Sequence, residues 1–245
     1  DQGPVAPPGG MSGAVMADTM GIVADDCFYA FLPLYHGAAS LSAGSTAIAA
    51  GASLAIRRKF SRREFWADVR RHGITVCQYI GEICRYLLSE PERPDDRRHT
   101  LRLMVGAGLS TEVWTRFVER FGALRIYEGW GSTEANTNTL NIDNRVGSCG
   151  RVPFWEKTNL RLVRWDVEND THVRDANGFL VPCAPGEVGE AIGLIHNYPD
   201  VVAGSFEGYT APAETEKKIL RNVFRSGDAA WSSGDLLRCD EDGYC

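Results

Sequence analysis

Residues 127–134 read Tyr-Glu-Gly-Trp-Gly-Ser-Thr-Glu and continue the short apolar segment 124–127. They combine aromatic rings, two glycines, two hydroxyls and carboxylates where a buried strand is predicted to end. Ligands of parallel α/β sheets bind beyond the carboxyl ends of the strands. An aromatic ring there can stack on a base, hydroxyls can donate to a phosphate, and a carboxylate suits Mg²⁺. By composition alone, the stretch is equally typical of a turn that caps the next helix.

A second strand end upstream is also rich in glycine. Residues 105–110 read Val-Gly-Ala-Gly-Leu-Ser, after the apolar segment 101–105 and before a helix predicted to be capped by Ser110. Small residues let a flat ligand lie against bare backbone, and a helix N-terminus follows. Taken alone, such a stretch is more often only a tight connection.

Strands and helices alternate up to about residue 150, and short strands separated by turns follow. Strands are predicted over residues 27–32, 52–56, 74–80, 101–105 and 124–127, then 160–164, 179–181, 188–195 and 236–239. Helices are predicted over residues 37–50, 61–72, 82–89, 111–121 and 213–221, with a capping box at Ser61 and a C-terminal stop at Gly73. The first ten residues are expected to form a loop or a cut end. The pattern predicts an α/β fold: a mostly parallel sheet with flanking helices, then a small β-rich, barrel-like subdomain. We expect a leader at 1–25, an α/β subdomain at 26–150 and the β-rich subdomain at 151–245.

Composition narrows the class of protein. The 245 residues are 44% hydrophobic with a net charge of −6, which is typical of a soluble globular protein. An acidic balance without a basic run argues against nucleic acid as the main partner. Seven cysteines without metal-ligand spacing predict reduced thiols in a cytoplasmic protein, with Cys77 as a buried hydrophobe. Neither a signal peptide nor a membrane span is predicted.

Several segments together resemble one family. Residues 130–134, Trp-Gly-Ser-Thr-Glu, resemble the Tyr-Gly-x-Thr-Glu motif of the acyl-adenylate-forming (AMP-binding) superfamily. Three more of its motifs occur in the family's order: Leu-Pro-Leu-Tyr-His at 32–36, Val-Gly-Ser-Cys-Gly at 146–150 and Ser-Gly-Asp at 233–235. Residues 78–88, 206–209, 217–220 and 223–228 resemble the fatty-acid transport proteins, which are very-long-chain acyl-CoA synthetases. The resemblance covers residues 22–245 and implies part of the large N-terminal domain of an adenylate-forming enzyme.

The resemblance implies a two-step ligase reaction. A long- or very-long-chain fatty acid reacts with ATP to form acyl-AMP, and coenzyme A then displaces AMP. The expected ligands are therefore ATP, Mg²⁺, coenzyme A and a fatty acid, at a cytoplasmic location that allows peripheral membrane association. Two alternatives stay open: a ligase for another carboxylic acid, such as a bile or aryl acid, or a non-catalytic lipid-binding or transport module. Acyl chain-length preference and oligomeric state are left open.

The resemblance also implies roles for individual residues. Thr133 would bind the α-phosphate, Glu134 would hold Mg²⁺, and His36 would face the carbonyl of the acyl-adenylate. Trp130 would stack on adenine where the family usually has Tyr, and Asp235 would accept from the ribose hydroxyls. The full nucleotide-binding set is Gly106, Ala107, Gly108, Glu128, Gly129, Trp130, Gly131, Ser132, Thr133 and Asp235. The acyl pocket would be bordered by Tyr79, Gly81 and Gly147.

Two parts of the family pattern do not occur in the sequence. The family's lysine-ended phosphate loop is absent, since residues 8–13 contain glycines but no lysine, and so is the C-terminal lid with its catalytic lysine. The four lysines are Lys59, Lys157, Lys217 and Lys218. None is expected to replace the lid lysine, because Lys217 and Lys218 are predicted to lie on a surface helix. We therefore expect an excerpt of a longer enzyme, inactive or weakly active alone.

Overall fold

The computed structural model describes residues 8–132, 134–196 and 206–245, with the side chains of 8–12 and 41 left out. The chain forms two compact units, residues 1–129 with 141–147 and residues 130–140 with 148–245. The α-helices are α1 (Pro8–Met20), α2 (Ser45–Ala50), α3 (Phe65–His72), α4 (Gly81–Leu88), α5 (Thr111–Phe121) and α6 (Pro212–Lys217). The strands are β1 (Cys27–Ala30), β2 (Ser53–Ile56), β3 (Val76–Ile80), β4 (Leu103–Ala107), β5 (Arg125–Trp130), β6 (Thr139–Leu140), β7 (Leu160–Asp166), β8 (Thr171–His172), β9 (Val188–Leu194), β10 (Ile219–Arg221) and β11 (Ala229–Arg238).

The first unit is built on a parallel sheet. Its strands run in the order β2-β1-β3-β4-β5, and every pair is parallel. The predicted parallel sheet with flanking helices is therefore confirmed. Apolar residues recur along its strands because both faces of such a sheet are covered.

An aromatic core lies between the sheet and helices α3, α4 and α5. Helix α5 buries Trp114, Phe117 and Phe121 at helical spacing. Ser110 caps the helix, since its hydroxyl accepts from the Val113 amide at 3.4 Å. The predicted cap is confirmed, and burial of these rings fixes α5 against the sheet.

Small residues shape the helices that precede β2. The predicted helix over 37–50 is confirmed, but its first part, Ala38–Gly44, is π-helical and only the part that continues as α2 is α-helical. The expected loop at the start of the chain was wrong for residues 8–10, which belong to α1. A Cβ on Gly13 would overlap the Ser45 carbonyl oxygen, so the glycine lets α1 lie against the start of α2. Gly13 thus serves helix packing.

Other local predictions were also wrong. The capping box at Ser61 does not form, because residues 62–64 make a turn and α3 begins at Phe65 without a side-chain cap. Gly73 does end α3 in the left-handed conformation, as predicted. The predicted helix over 213–221 ends at Lys217, and Ile219–Arg221 is strand β10. The apolar residues at 219–220 are needed by the second sheet.

The second unit contains an antiparallel sheet, which confirms the predicted β-rich part. Its strands run in the order β10-β11-β9-β7-β8. Strand β11 is longer than the predicted 236–239 because it continues through an irregularity between Ser232 and Leu236, where its register against β9 shifts. Such bulges bend a strand and turn its side chains in new directions. The predicted Ser-Gly-Asp motif lies in this bulge.

Cys239 and Cys245 form a disulfide, so the prediction of reduced thiols was wrong for this pair. The intervening turn brings their ends together: the Tyr244 amide donates to the Asp240 side chain at 2.9 Å, and the Asp240 amide donates to the Tyr244 carbonyl at 2.9 Å. Cys77 is fully buried, as predicted. Among the described residues, no helix is both long and apolar enough to cross a bilayer.

Candidate nucleotide and acyl site

The carboxyl ends of three neighbouring strands bring together the predicted residues of the first unit other than His36 and Gly147. Tyr79 on β3 pairs with Gly106 on β4, and Gly106 pairs in turn with Glu128 on β5. Gly81 begins α4 directly after β3. Parallel strands end at one edge of a sheet, so the alternating pattern brings these residues together from three distant parts of the chain.

The main chain approaches itself closely at this edge. A Cβ on Gly106 would overlap the Tyr79 carbonyl oxygen, and one on Gly81 would overlap the Gly108 carbonyl oxygen. Gly108 itself has φ +83°, in the left-handed region that favours glycine. The glycines of the predicted adenine slot and acyl pocket are therefore required first by backbone packing between β3, α4 and the segment after β4.

Glu128 is a buried carboxylate at the centre of this edge, 4% exposed. One oxygen accepts from the Leu109 amide at 2.9 Å, and the other accepts from the Tyr79 hydroxyl. Burial raises the pKa of Glu128 above its ordinary value, although these donors work in the opposite direction. Burial and the nearby carboxylate also raise the pKa of Tyr79. The sequence offered no signal for this network, because its partners lie 49 and 19 residues away.

In the second unit, Trp130 and Asp235 form a direct contact. The Trp130 indole Nε1 donates to Asp235 Oδ2 at 2.9 Å across 105 residues of sequence. Asp235 is exposed, and Trp130 is half-buried beside an apolar cluster around Leu160 and Val152. Two residues predicted to bind adenine and ribose thus lie side by side, and the indole N–H holds the carboxylate in place.

The bulge in β11 presents Asp235. The Asp235 amide donates to the Ser233 hydroxyl at 2.9 Å, and that hydroxyl donates to the Ala191 carbonyl on β9 at 2.6 Å. Ser233 therefore closes a tight local turn and also fastens it to the neighbouring strand. A threonine hydroxyl, which the family commonly has here, could make the same two bonds.

The segment after Trp130 is only partly described. Gly131, Ser132 and Glu134 are exposed, whereas Thr133 lies outside the described residues. Asn136 fixes the chain just beyond the motif, because its side-chain amide donates to the Gly193 and Leu194 carbonyls at 3.2 Å each. Asn136 was not predicted, although an amide side chain two residues beyond the motif was a signal present in the sequence.

His36 and Gly147 occupy loops of the first unit. His36 is exposed, and its Nδ1 accepts from the Ala38 amide at 3.1 Å at the start of the π-helical segment. Gly147 has φ +86°, and a Cβ there would lie 2.6 Å from the Thr111 hydroxyl at the start of α5. His36 thus fixes the start of the π-helical segment, and Gly147 allows its loop to approach the start of α5.

Glu134 suits a magnesium ion that is held mainly by phosphate oxygens. Within the described ranges, no cluster of three or more His, Cys, Asp or Glu side chains is arranged to bind a metal by itself. Mg²⁺ usually keeps several waters and takes one or two protein carboxylates plus substrate phosphates. A single exposed carboxylate at Glu134 fits that coordination.

The described cavities lie away from these residues. One of about 460 Å³ is lined by Arg97, Arg116 and Arg120 among others. Its most buried cation, Arg120, is bound to Asp96 at 2.7 Å and to the Glu90 carbonyl at 2.7 Å. The charge of Arg120 is satisfied within the fold, so this arginine serves a structural ion pair at the wall of the cavity.

The ordered motifs and the fold define a class of protein. Residues 10–192 match the family model of the AMP-binding enzymes, so the chain belongs to the AMP-binding enzyme family. Within that class it is 42% identical over 235 residues to long-chain fatty acid transport protein 2 of Rattus norvegicus, which covers 95% of this chain and 37% of that protein. It is 43% identical over 224 residues to long-chain fatty acid transport protein 1 of Homo sapiens, which covers 90% of this chain and 34% of that protein.

Solved structures share the fold. ATP-bound MatB from Rhodopseudomonas palustris superposes with a TM-score of 0.70 at 20% identity, covering 96% of this chain and 42% of that one. O-succinylbenzoate CoA synthetase from Bacillus subtilis, in complex with ATP and magnesium, gives a TM-score of 0.64 at 20% identity and covers 96% and 44%. These confirm the predicted fold class. The chain spans about a third of the length of the curated relatives it matches.

Proposed function

We propose that the protein carrying this chain activates a long- or very-long-chain fatty acid with ATP, through acyl-AMP, to acyl-CoA. Family membership supports the adenylation step, and the similarity to long-chain fatty acid transport proteins supports the acyl substrate. The observation that carries the proposal is geometric. Trp130 and Asp235 come from opposite ends of the second unit's sequence and present a ring edge and a carboxylate side by side.

The first step needs positioning and charge stabilisation more than a protein nucleophile. The fatty-acid carboxylate oxygen attacks the α-phosphorus, a new P–O bond forms, and pyrophosphate leaves. Because two anions approach each other, hydrogen-bond donors and cations around the phosphorus lower the barrier. In the second step the sulfur of coenzyme A attacks the acyl carbon, a thioester forms, and AMP leaves with the bonding electron pair.

In this proposal each polar residue binds one part of the nucleotide. Thr133 donates to the α-phosphate, and Asp235 accepts from the ribose hydroxyls. Glu134 holds Mg²⁺, which when bound neutralises charge on the phosphate oxygens. Trp130 contributes ring surface for adenine stacking while its N–H keeps Asp235 oriented. His36 binds at the acyl-adenylate carbonyl.

Main chain forms the proposed walls around adenine and the acyl chain. Residues 106–108, 128–129 and 131–132 line the adenine slot, and Glu128 acts there by fixing the Leu109 amide. Tyr79, Gly81 and Gly147 border the acyl pocket, where glycines leave room for a long chain. The close approach of Gly81 to Gly108 supports placing the two walls at one sheet edge.

Pyrophosphate exchange into ATP tests the function directly. The protein at its full encoded length is assayed with long-chain, very-long-chain, bile and aryl acids, followed by detection of the acyl-CoA product. We expect exchange that depends on a long acyl chain. Exchange with only a bile or aryl acid would reassign the substrate. Fatty-acid binding by calorimetry without any nucleotide binding would indicate a lipid-binding module instead.

A pair of carboxylate variants tests the metal assignment. Glu134→Ala should lower exchange at limiting Mg²⁺ by at least about tenfold, because it removes the protein's oxygen ligand. Glu168→Ala is the control, since Glu168 is equally exposed on a turn of the second sheet. Equal activity of both variants would remove Glu134 from the site.

We also propose a cytoplasmic location with peripheral membrane association. Flotation with lipid vesicles tests the membrane association.

A further inference from the structure

One peptide unit in the bulge of β11 is held by a charged side chain at each end. The Lys218 ammonium donates to the Ser233 carbonyl at 3.2 Å, and the Gly234 amide donates to Glu190 Oε1 at 2.9 Å. These two atoms belong to the single peptide that joins Ser233 to Gly234. Hydrogen bonds to charged groups are stronger than those between neutral groups, so this peptide is unusually well held for an exposed turn.

Glu190 is firmly anchored behind the bulge. It is 2% exposed, and the Ser232 hydroxyl donates to the same oxygen at 2.5 Å, while His172 Nε2 pairs with the other oxygen. Burial alone would raise the pKa of Glu190, but its bonds from His172, Ser232 and Gly234 outweigh burial and lower it. The carboxylate is therefore charged at neutral pH and fixed in position.

The bulge needs such a restraint because of Gly234. This residue has φ +83°, and Lys218 Nζ, 3.6 Å away, is the nearest described atom that a Cβ there would meet. Glycine accepts both signs of φ readily, so sterics alone leave the orientation of the preceding peptide open. The acceptor at Glu190 and the donor at Lys218 select one orientation. Asp235 follows directly, so that choice sets the direction of its carboxylate.

Lys218 reaches the bulge because the chain changes from helix to strand at this residue. It directly follows the last residue of α6, and its carbonyl accepts from the Ser232 amide at 2.8 Å as β10 begins to pair with β11. The main chain therefore brings Lys218 alongside the bulge, and its side chain is half-buried there. Its neighbour Lys217 is exposed and pairs with Glu214 at 2.7 Å.

We propose that Lys218 and Glu190 are positioning residues that orient Asp235 towards the ribose of the nucleotide. Lys218 thus has a function at this site although it does not replace a lid lysine. The inference rests on the proposed function, since it assumes that Asp235 accepts from the ribose hydroxyls. It predicts that loss of Lys218 weakens recognition of the ribose specifically, without a matching loss for nucleotides that lack those hydroxyls.

The test compares ATP with 2′,3′-dideoxy-ATP in the pyrophosphate-exchange assay, using the full encoded protein. Lys218→Met should reduce the ratio of kcat/KM for ATP to kcat/KM for 2′,3′-dideoxy-ATP by about tenfold. This is the size expected from loss of one hydrogen bond made by a charged group. The loss should appear in KM for ATP, and Lys218→Arg should restore most of it. Lys217→Met removes the same charge one residue away and should keep the wild-type ratio. Glu190→Gln keeps an acceptor for Gly234 and should have a smaller effect than Glu190→Ala.

Asp235→Ala completes the design, because it should abolish the preference for ATP by itself. Lys218→Met should then change the ratio no further in the Asp235→Ala background. An unchanged ratio in Lys218→Met, or equal losses for both nucleotides, would overturn the inference while Asp235→Ala still supported the ribose site. A wild-type protein that catalyses no pyrophosphate exchange in the presence of any fatty acid would instead refute the proposed function.

Discussion

Replacing Tyr79 by Phe probes the buried network at the sheet edge. The substitution removes one hydroxyl that donates to Glu128 and leaves the fully buried ring in place. A hydrogen bond to a charged group contributes about 1.5–3 kcal/mol. For a protein of this size each kcal/mol changes the melting temperature by about 2–4 °C, so we expect a decrease of roughly 3–12 °C at pH 7.5.

The pH dependence of this effect has a definite sign. Burial places the pKa of Glu128 in the folded protein above its unfolded value of about 4.3. The contribution of Glu128 to the free energy of unfolding is therefore fully present below about pH 4.3 and is lost as pH rises through the folded pKa. The Tyr79 hydroxyl lowers the pKa of Glu128, so its removal in Tyr79→Phe should raise the pKa of Glu128 further. The stability difference between variant and wild type should thus increase between pH 4 and pH 8.

Chemical denaturation of wild type and variant at several pH values measures this difference. Tyr127→Phe is the matched control, because Tyr127 is also buried at the sheet and its hydroxyl makes no hydrogen bond within the described residues. The control should lose little stability at any pH. A Tyr79→Phe variant as stable as wild type, or a deficit that is constant with pH, would show that the hydroxyl does not stabilise a Glu128 carboxylate.

Two further substitutions test packing and charge elsewhere in the first unit. Gly81→Ala should lower the free energy of unfolding by about 3 kcal/mol or more, because the new methyl group overlaps the Gly108 carbonyl oxygen and only backbone movement relieves the overlap. Urea denaturation measures this loss, and a variant as stable as wild type would contradict the close approach. Arg120→Ala should cost about 3–5 kcal/mol, since it leaves the buried Asp96 carboxylate without its ion-pair partner. Arg116→Ala removes an exposed pair and should cost below about 0.5 kcal/mol, so equal melting temperatures for the two arginine variants would refute the distinction.

The parallel sheet could be predicted because its signal is local. Apolar runs such as 74–80 alternate with helices whose buried face is periodic, and the Ser110 cap is a short-range feature. The order of the motifs likewise predicted which strand ends carry the site. Both depend on residues that are neighbours in sequence or repeat at a fixed period.

The buried polar contacts could not be predicted, because their partners are distant. Glu128 was expected to line a slot, and its oxygens also accept from the Tyr79 hydroxyl on β3 and from the Leu109 amide in the segment after β4. Lys218 was assigned to a surface helix because helix propensity at 213–218 is strong, whereas pairing with β11 converts the next residues to a strand. Tertiary contacts decided both cases.

The disulfide shows the same limit at short range. Cys239 and Cys245 are six residues apart, and their spacing matches no metal or redox motif. The turn that joins them is closed by the Asp240 side chain and by backbone bonds, which spacing alone does not reveal. Three-dimensional proximity here depends on turn geometry more than on the number of intervening residues.

The wall of main chain at Gly81 and Gly106 has a consequence for the entropy of binding. Side chains that become ordered around a ligand cost about 0.5–1.5 kcal/mol each, whereas a surface of backbone has no rotamers left to freeze. Glycine loses the most conformational freedom of any residue, but it loses it when the chain folds. A ligand that binds against this edge would therefore meet a surface that is already ordered, so less of its binding free energy would be lost to ordering the protein.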